Sequence, residues 1–269
     1  DGVSDTVSLY LKSIPRAGAS VLDYALFSFG EVNPLDLGNN QTVTGPIGTN
    51  SSDILFRNNN PDSFDYETNA EILDIPEIDT SLFDDAGPND LPSEKIIDEN
   101  GYYKILDRSI TFDTSNPESE LYVRSEGIDL GGNSTITVSG NGLLHLLLKD
   151  ENDEATFKMG GTSKIVTEGD SAVIIYVNSS SDITIGGNPG GNMFIYAPYS
   201  SITWSGGGAA GVIDGGVIVS DFSGGNSNNT IIRHDQELLH KGAFVSAAPG
   251  EVSEEELRVS SFYRGPWDN

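Results

Sequence analysis

The sequence contains no cysteine, so disulfide bonds, thiolate metal sites and cysteine nucleophiles are all excluded. Basic residues are scarce, because 14 Lys and Arg stand against 41 Asp and Glu and the formal net charge is −27. Such a charge repels phosphate backbones and anionic lipids, so we expect no nucleic acid as a general partner. No apolar run approaches the roughly 20 residues that a membrane-spanning helix needs.

Histidine is also rare, and the motifs of common catalytic sites are missing. His145, His234 and His240 lie in LLHLLL, IIRHDQ and ELLHKG, which is too scattered for a recognisable metal site. The sequence has no GxSxG, HExxH or P-loop motif, and no GxGxxG between a strand and a helix. We therefore expect a non-enzymatic protein, with His145 as a buried or rim residue of a strand.

Glycine, by contrast, is abundant at 31 residues, and the accompanying Asn, Ser, Thr and Asp are typical of tight turns between short strands. From residue 102 onward the glycine-ended units form a loose repeat. Successive anchor glycines are 20, 26, 20 and 18 residues apart, a spacing typical of β-helix coils. These anchors are Gly140, Gly160, Gly186, Gly206 and Gly224.

Short apolar runs lie between the glycine turns, at 173–177, 193–197 and 216–220, and their alternate side chains should fill a continuous interior. We therefore predict an all-β fold, a right-handed parallel β-helix with a short N-terminal α-helix. A sandwich or jelly roll stays open, because periodicity alone does not separate stacked coils from hairpins. The predicted organisation is a helical stem at 1–20, first strands at 21–57, an acidic excursion at 58–101, solenoid coils at 102–235 and a cap and tail at 236–269.

The acidic excursion holds thirteen Asp or Glu within 58–99 against the single basic residue Lys95. Four prolines interrupt it, so we expect neither a regular strand nor a long helix there. Its scattered apolar residues suggest that it straps across a neighbouring surface; they are Ile72, Leu73, Ile75, Ile78, Leu82 and Phe83.

Two sets of side chains are candidates for ligand binding. Asp182, Asp214 and Asp221 are predicted at rung edges, where carboxylates and turn carbonyls together suit Ca²⁺, although the known calcium-loop patterns are absent. Tyr199 and Trp204 are predicted as an exposed pair that could stack on sugar rings. Many β-helices are polysaccharide lyases or hydrolases, but fold analogy alone supports that interpretation here.

Several segments resemble a known family: YALFSFGEV at 24–32, TGPIGTN at 44–50, MFIYAPYSSITWSGGG at 193–208 and the stretch GVIDGG to RHDQEL at 211–238. They are similar to bacterial pilus-assembly proteins, PilX-like or pilin-like, that carry an uncharacterised β-solenoid domain. This sequence has His234 where the family's closing segment has Tyr. The acidic excursion has no counterpart in that pattern.

The resemblance implies a solenoid displayed outside the cell on a hydrophobic stem helix, with 4–14 as the remnant of a stem whose upstream part has been removed. We expect an extracellular or cell-surface protein whose partners are other pilus or pilin-like subunits and surface glycans. No cofactor is expected apart from the Ca²⁺ hypothesis. The alternative is a carbohydrate-binding or polysaccharide-degrading β-helix protein.

Overall fold

The computed structural model describes residues 20–245 except 73, 84–85, 117–119, 151, 206–210 and 226–229, so the predicted stem helix at 4–14 and the tail beyond 245 lie outside the described residues. The fold is all-β, and strands pair in parallel throughout the two main sheets. The strands are β1 (Leu26–Ser28), β2 (Leu35–Asp36), β3 (Thr42–Thr44), β4 (Ile47–Thr49), β5 (Ile54–Leu55), β6 (Tyr66–Thr68), β7 (Ile96–Ile97), β8 (Gly101–Tyr103), β9 (Ile110–Thr114), β10 (Leu121–Ser125), β11 (Gly127–Leu130), β12 (Thr135–Gly140), β13 (Leu143–Leu148), β14 (Thr156–Met159), β15 (Lys164–Thr167), β16 (Ala172–Val177), β17 (Asp182–Ile185), β18 (Gly191–Trp204), β19 (Val212–Ser223) and β20 (Ile231–His234). Short 3-10 helices lie at Val21–Asp23, Pro61–Ser63 and Thr80–Leu82, and the α-helix α1 spans Gln236–His240.

The strands stack into a solenoid-like prism with three faces. Face 1 has the strand order β6-β4-β1-β19-β18-β16-β13-β10-β8. Face 2 contains β5, β2, the ends of β19 and β18, then β17, β14 and β11. Face 3 contains β3, β20, the starts of β19 and β18, and the separate sheet β15-β12-β9-β7. A rung therefore crosses face 3, face 1 and face 2 in turn.

The interior is filled by columns of apolar side chains, one from each rung, as the apolar runs predicted. On face 1 the column is Val123, Leu146, Ile175, Ile195, Val217, Leu26 and Ile47, all in one buried cluster. Full burial of one such side chain stabilises the fold by roughly 1.5–3 kcal/mol. The stacked apolar side chains therefore stabilise the rungs along the axis together with the backbone hydrogen bonds between parallel strands.

Face 1 is also covered on its outer side. The outward side chains of its strands join a second buried cluster, the outer cluster, which includes Leu147, Ile174, Phe194 and Ile218. This explains why β13 and β16 have the sequences LLHLLL and AVIIYV rather than alternating apolar and polar residues, since a strand buried on both faces is apolar throughout. The cover consists of α1, the 3-10 helix Val21–Asp23 and the segment described next.

The strap, defined here as the described residues within 70–89 (all but 73, 84 and 85), crosses face 1 from one end of the stack to the other. It begins beside β4, where the Ala70 amide donates to the Thr49 carbonyl at 3.0 Å, and ends beside β8, where the Asn89 amide donates to the Tyr102 carbonyl at 2.7 Å. Between these points Ile78 and Phe83 are buried. The expectation that no strand fits within 58–99 is wrong at β6 and β7, which pair with β4 and β9.

The strap carries the chain from the β4 end of the stack to the β8 end, where the long series of coils begins. The last coil of that series therefore finishes beside the N-terminal strands, inside the stack. The edge of β19 on face 1 pairs with β1, with Leu26 in register with Val217. On face 3 the same edge pairs with β20. After β20 the chain leaves as α1, and the N-terminal strands β1 and β2 complete the rung that β20 began.

Both ends of the stack finish in short strands. β6 spans three residues and β7 two, and each lies at the end of its sheet order. Phe56 and Phe64 lie in the residues beside β6, where their rings are 5.6 Å apart and pack against the interior cluster. Edge strands this short resist pairing with another chain, and β6 also carries the charged Glu67.

Candidate functional site

The outer surface of face 2 is an ordered array of polar side chains. We name it the polar face and define it by two columns that run along the axis: Thr156, Asp182, Ser201 and Asp221, and then Asp129, Lys158, Thr184, Thr203 and Ser223. The array arises because β11, β14, β17 and the last part of β18 alternate, with apolar residues inward and polar residues outward. Thr184 and Thr203 are exposed and in register on adjacent strands.

Two of the predicted carboxylates lie in one column of this face. Asp182 is in register with Ser201, and Ser201 with Asp221, so two strand spacings, about 10 Å of backbone, separate the two Asp residues. Asp221 is oriented by neighbouring side chains: it accepts hydrogen bonds from Ser201 at 3.3 Å, Ser220 at 3.1 Å and Asn33 at 3.3 Å. Asp182 is exposed.

A groove of about 680 Å³ opens beside Asp182 at the corner between faces 1 and 2. It is lined by Asn152, Asp153, Glu154, Ala155, Thr156, Lys158, Ser179, Ser180, Ser181 and Asp182. Tyr199 lies at the same corner on the next rung and is 48% exposed. The hydroxyl of the adjacent Ser200 donates to the Ser179 carbonyl at 2.5 Å, which ties the Tyr199 turn to the groove wall.

Trp204, the other predicted aromatic, is a core residue and not an exposed partner of Tyr199. It is 1% exposed, belongs to the interior cluster and packs at 6.4 Å from Phe222. The reason is strand parity, because Trp204 lies two residues after the buried Ile202 and therefore on the same, inward side. The expected stacking pair is wrong, and Tyr199 alone of the two is available to a ligand.

Asp214 does not join Asp182 and Asp221. It lies on face 3, in register with Asn192 and Arg233, and its carboxylate forms an ion pair with the Arg233 guanidinium at 3.0 Å. Across the described ranges no group of three or more His, Cys, Asp or Glu side chains is placed to hold a metal ion. The three predicted calcium ligands are therefore not brought together.

The second column ends at an ion pair between the buried Asp36 and the exposed Arg57, which sequence reasoning missed. Asp36 follows Ser223 in register and is 7% exposed, and its carboxylate accepts a hydrogen bond from Arg57 Nε at 2.6 Å. Burial raises the pKa of the Asp36 carboxyl, but hydrogen bonds from Arg57 and the Gly38 amide outweigh it and hold that pKa below its ordinary value. No local sequence signal links these residues, since contacts between rungs create the pair.

The polar residues Lys158, Thr184 and Thr203 were also not singled out from the sequence. The sequence does contain a signal for these residues, because polar and apolar residues alternate in each of the segments TFKM, DITI and SITW. Aligning these three segments by their alternation gives the column that the structure shows.

The described residues thus define an all-β protein with a parallel, solenoid-like fold and a polar, groove-edged face. Residues 37–240 match the family model described as Domain of unknown function (DUF7305). The match covers well over half of the chain, so the chain belongs to this family. No protein of curated function and no solved structure gives a significant match. Within the described residues, no helix is long and apolar enough to cross a membrane.

Proposed function

We propose that the protein is a non-enzymatic, extracellular or cell-surface β-solenoid that is carried by pilus or pilin-like subunits and presents its polar face for adhesion. The observation that carries this proposal is the polar face itself, a regular array of hydroxyl and carboxylate groups on a rod whose interior is continuous. We further propose that the coil is right-handed, as parallel crossover connections are in the great majority of cases, and that residues 4–14 form the stem helix.

The positions of the first and last described segments support such an arrangement. The 3-10 helix Val21–Asp23 packs beside α1, where Gln236 donates to Asp23 Oδ1 at 3.0 Å. Val245 lies on the strap, with its amide donating to the Glu77 carbonyl at 2.7 Å. Both positions are on the outer side of face 1. A filament subunit joined through the residues before 20 or after 245 would meet the described part of the chain on face 1, and the polar face would stay free.

The short edge strands argue that copies do not join by stacking end on end. β6 carries Glu67 at its centre, and β7 has two residues, so each of these two end strands offers little unpaired backbone. Filament association on the side of face 1, where the described residues begin and end, is the arrangement that the geometry favours.

The test is whether full-length precursor, expressed in its native host, co-purifies with sheared extracellular filaments. We expect the protein in the filament fraction and immunogold label along or at the tip of filaments. A protein found entirely as free, secreted monomer would overturn the filament-associated function.

Adhesion through the polar face is tested separately with matched variants. Thr184→Arg and Thr203→Arg place bulky charges in the array, while Thr137→Arg changes an outward residue of face 3. We expect the first two to lower cell or surface adhesion by about tenfold and the third by less than about twofold. Equal losses in all three would show that the polar face has no special role.

A second function, carbohydrate binding, is favoured by Tyr199 beside the groove of hydroxyl, amide and carboxylate groups. Binding to a panel of immobilised glycans should fall by about tenfold in Tyr199→Ala and stay unchanged in Tyr66→Ala, because Tyr66 is 42% exposed at the far end of the stack. Release of sugar products in the same assay would replace binding by polysaccharide degradation. No binding to any glycan would leave the adhesive function with a different target.

A further inference from the structure

A buried polar network lies under the strap and is not used by the proposed function. His145, in the middle of β13, is 0% exposed. Its Nδ1 is 2.8 Å from the Tyr176 hydroxyl and its Nε2 is 3.0 Å from Glu120 Oε2. Both ring nitrogens are therefore hydrogen-bonded, and the partners belong to the rungs on either side.

The hydrogen-bond pattern of this network fits neutral histidine. The Glu120 carboxylate only accepts, so Nε2 carries the proton and Nδ1 accepts from the Tyr176 hydroxyl. The Tyr176 oxygen in turn accepts from the Ala243 amide at 2.7 Å. A second proton on His145 would sit on Nδ1 and point at the Tyr176 hydroxyl, whose own proton would then lose its acceptor among the described residues.

The network supports the strap through ring contacts. The Tyr122 ring stacks on His145 with centroids 4.4 Å apart and planes 3° from parallel. Phe83 of the strap packs edge-on against Tyr122 at 5.6 Å and against Tyr176 at 6.0 Å. Phe83 is 5% exposed, so the strap's main aromatic anchor rests directly on the residues that hold the histidine.

The same network holds the segment that follows α1. The Ala243 amide donates to Tyr176, and the Ala243 carbonyl accepts from the Asp79 amide of the strap at 2.8 Å. Phe244 pairs with Ile78 in an antiparallel bridge. Tyr176 therefore joins the three parts: its hydroxyl contacts His145 and the Ala243 amide, and its ring contacts Phe83 of the strap.

We propose that His145 is a proton-operated latch: in its neutral form it holds the strap and residues 241–245 on face 1, and its protonation releases them and uncovers the outer cluster. The surface uncovered is apolar, with Leu147, Ile174 and Phe194 among its residues. This inference is independent of the proposed adhesive function.

Charged and titratable groups face His145 from each side. Glu120 precedes β10, and Tyr122 and Tyr176 come from the flanking rungs, whereas Asp79 of the strap acts on Tyr122 and not directly on His145. Burial lowers the pKa of His145, and the Glu120 carboxylate opposes this only in part. Burial also raises the pKa of Tyr122 and Tyr176, so both hydroxyls keep their protons.

The direction of the pH effect follows from that lowered pKa. The released state, with His145 in water, has an ordinary pKa of about 6.5 and binds the proton more readily than the closed state. Closure is therefore fully stable above about pH 6.5 and weakens as the pH falls below it. The equilibrium shifts towards release by about tenfold for each unit by which closure lowers the pKa.

The first test is an NMR titration of the histidine rings in the intact protein, with His145→Gln, His234→Gln and His240→Gln used for assignment. We expect His145 to show the Nε2–H tautomer and to titrate below the ordinary histidine pKa of about 6.5. A charged His145 at pH 7, or the Nδ1–H tautomer, would overturn the latch.

The second test is hydrogen exchange of residues 76–83 and 241–245 at about pH 7.5 and about pH 5.5, after correction for the intrinsic pH dependence of exchange. We expect protection of both segments to fall at least about threefold in acid in the wild type and in the control His240→Gln. His145→Gln, which keeps a polar side chain but removes the titrating ring, should lose this pH difference. A pH difference that is below about twofold in the wild type, or that persists unchanged in His145→Gln, would contradict the proposal.

Discussion

Two aromatic residues only five positions apart on β18 have opposite roles, and this shows how strand parity acts on single residues. Trp204 is 1% exposed and points into the interior, whereas Tyr199 is 48% exposed at a corner, where the register between β18 and its neighbour shifts. Residues 202 and 204 share parity, so an apolar Ile202 already indicated a buried Trp204. The alternation in the sequence therefore indicates an interior Trp204, and the expected Tyr199–Trp204 pair did not take that alternation into account.

The first prediction compares these two residues. Trp204→Ala leaves a large cavity beside Phe222 and should lower the free energy of unfolding by about 3–5 kcal/mol. Tyr199→Ala removes an exposed ring and should change it by less than about 0.5 kcal/mol. Urea unfolding followed by circular dichroism measures both values. Similar losses in the two variants would contradict the interior placement of Trp204.

At the scale of elements, the repeat of glycine-ended units correctly predicted stacked parallel strands, but it did not say which glycines the turns require. Gly140 ends β12 with φ at +106°, and a Cβ there would lie 2.6 Å from the Ser115 amide nitrogen. Gly160 follows β14, and a Cβ added there would lie 3.9 Å from the nearest heavy atom, the Leu130 carbonyl oxygen. The Gly160 backbone is not left-handed. Spacing treats the two alike, whereas the close approach of the neighbouring rung separates them.

The second prediction follows from that difference. Gly140→Ala combines a left-handed backbone with a backbone clash and should destabilise the fold by about 2–4 kcal/mol. Gly160→Ala should cost less than about 1 kcal/mol or stabilise slightly, because the unfolded chain loses freedom. Thermal unfolding of both variants in one buffer provides the measurement. If Gly160→Ala were the more damaging, the assignment of the required turn would be wrong.

The lengths of the connections between strands also explain why only two of the three predicted Asp residues lie in one column. Asp182 and Asp221 were predicted at rung edges and do share a column, but Asp214 lies on face 3 with Arg233. The face on which an Asp lies depends on the number of residues that each rung has in its corners. Those lengths vary from rung to rung, so counting from the glycines did not fix the face.

At the scale of the whole molecule, charge is the dominant global property. A formal net charge of −27 on 269 residues favours the expanded, unfolded chain through self-repulsion. Raising NaCl from about 10 mM to about 150 mM shortens the screening length from about 30 Å to about 8 Å. We therefore predict a rise of several degrees in Tm over this range.

Calcium provides the matched comparison for this salt effect. At equal ionic strength, CaCl₂ should raise Tm by no more than a few degrees beyond NaCl, because the described residues hold no cluster of three or more ligating side chains. A saturable rise at micromolar Ca²⁺ would instead show a specific site and revive the calcium hypothesis. Scanning calorimetry at several concentrations distinguishes the two outcomes.

The order in which the coils stack was beyond the reach of the sequence. The acidic segment was expected to lie across a neighbouring surface, and Ile78 and Phe83 do so. Because the strap crosses the stack, β1 pairs with β19, about 190 residues further along the chain. No local sequence pattern specifies such a contact between distant segments. Either end of the coil series could have accepted the N-terminal strands, since all rungs present similar backbone edges.

This topology leads to a last prediction. The N-terminal strands β1 to β6 are held on the main solenoid by pairing with β19 and β20 and by the strap, so covalent continuity of the strap should not be needed once the protein has folded. A protease site inserted after Gly87, where an added Cβ would meet no heavy atom within 4 Å, would cut the strap near its far end.

After cleavage we expect both fragments to co-elute at the elution volume of the intact protein, with Tm lowered by less than about 10 °C. No disulfide can join them, because the sequence has no cysteine, so co-elution reports non-covalent pairing alone. Cleavage is shown to be complete by separation of the fragments in concentrated urea. Fragments that part in native buffer would mean that β1 and β19 are not paired, since that pairing buries Leu26 against Val217 in the continuous interior of the stack.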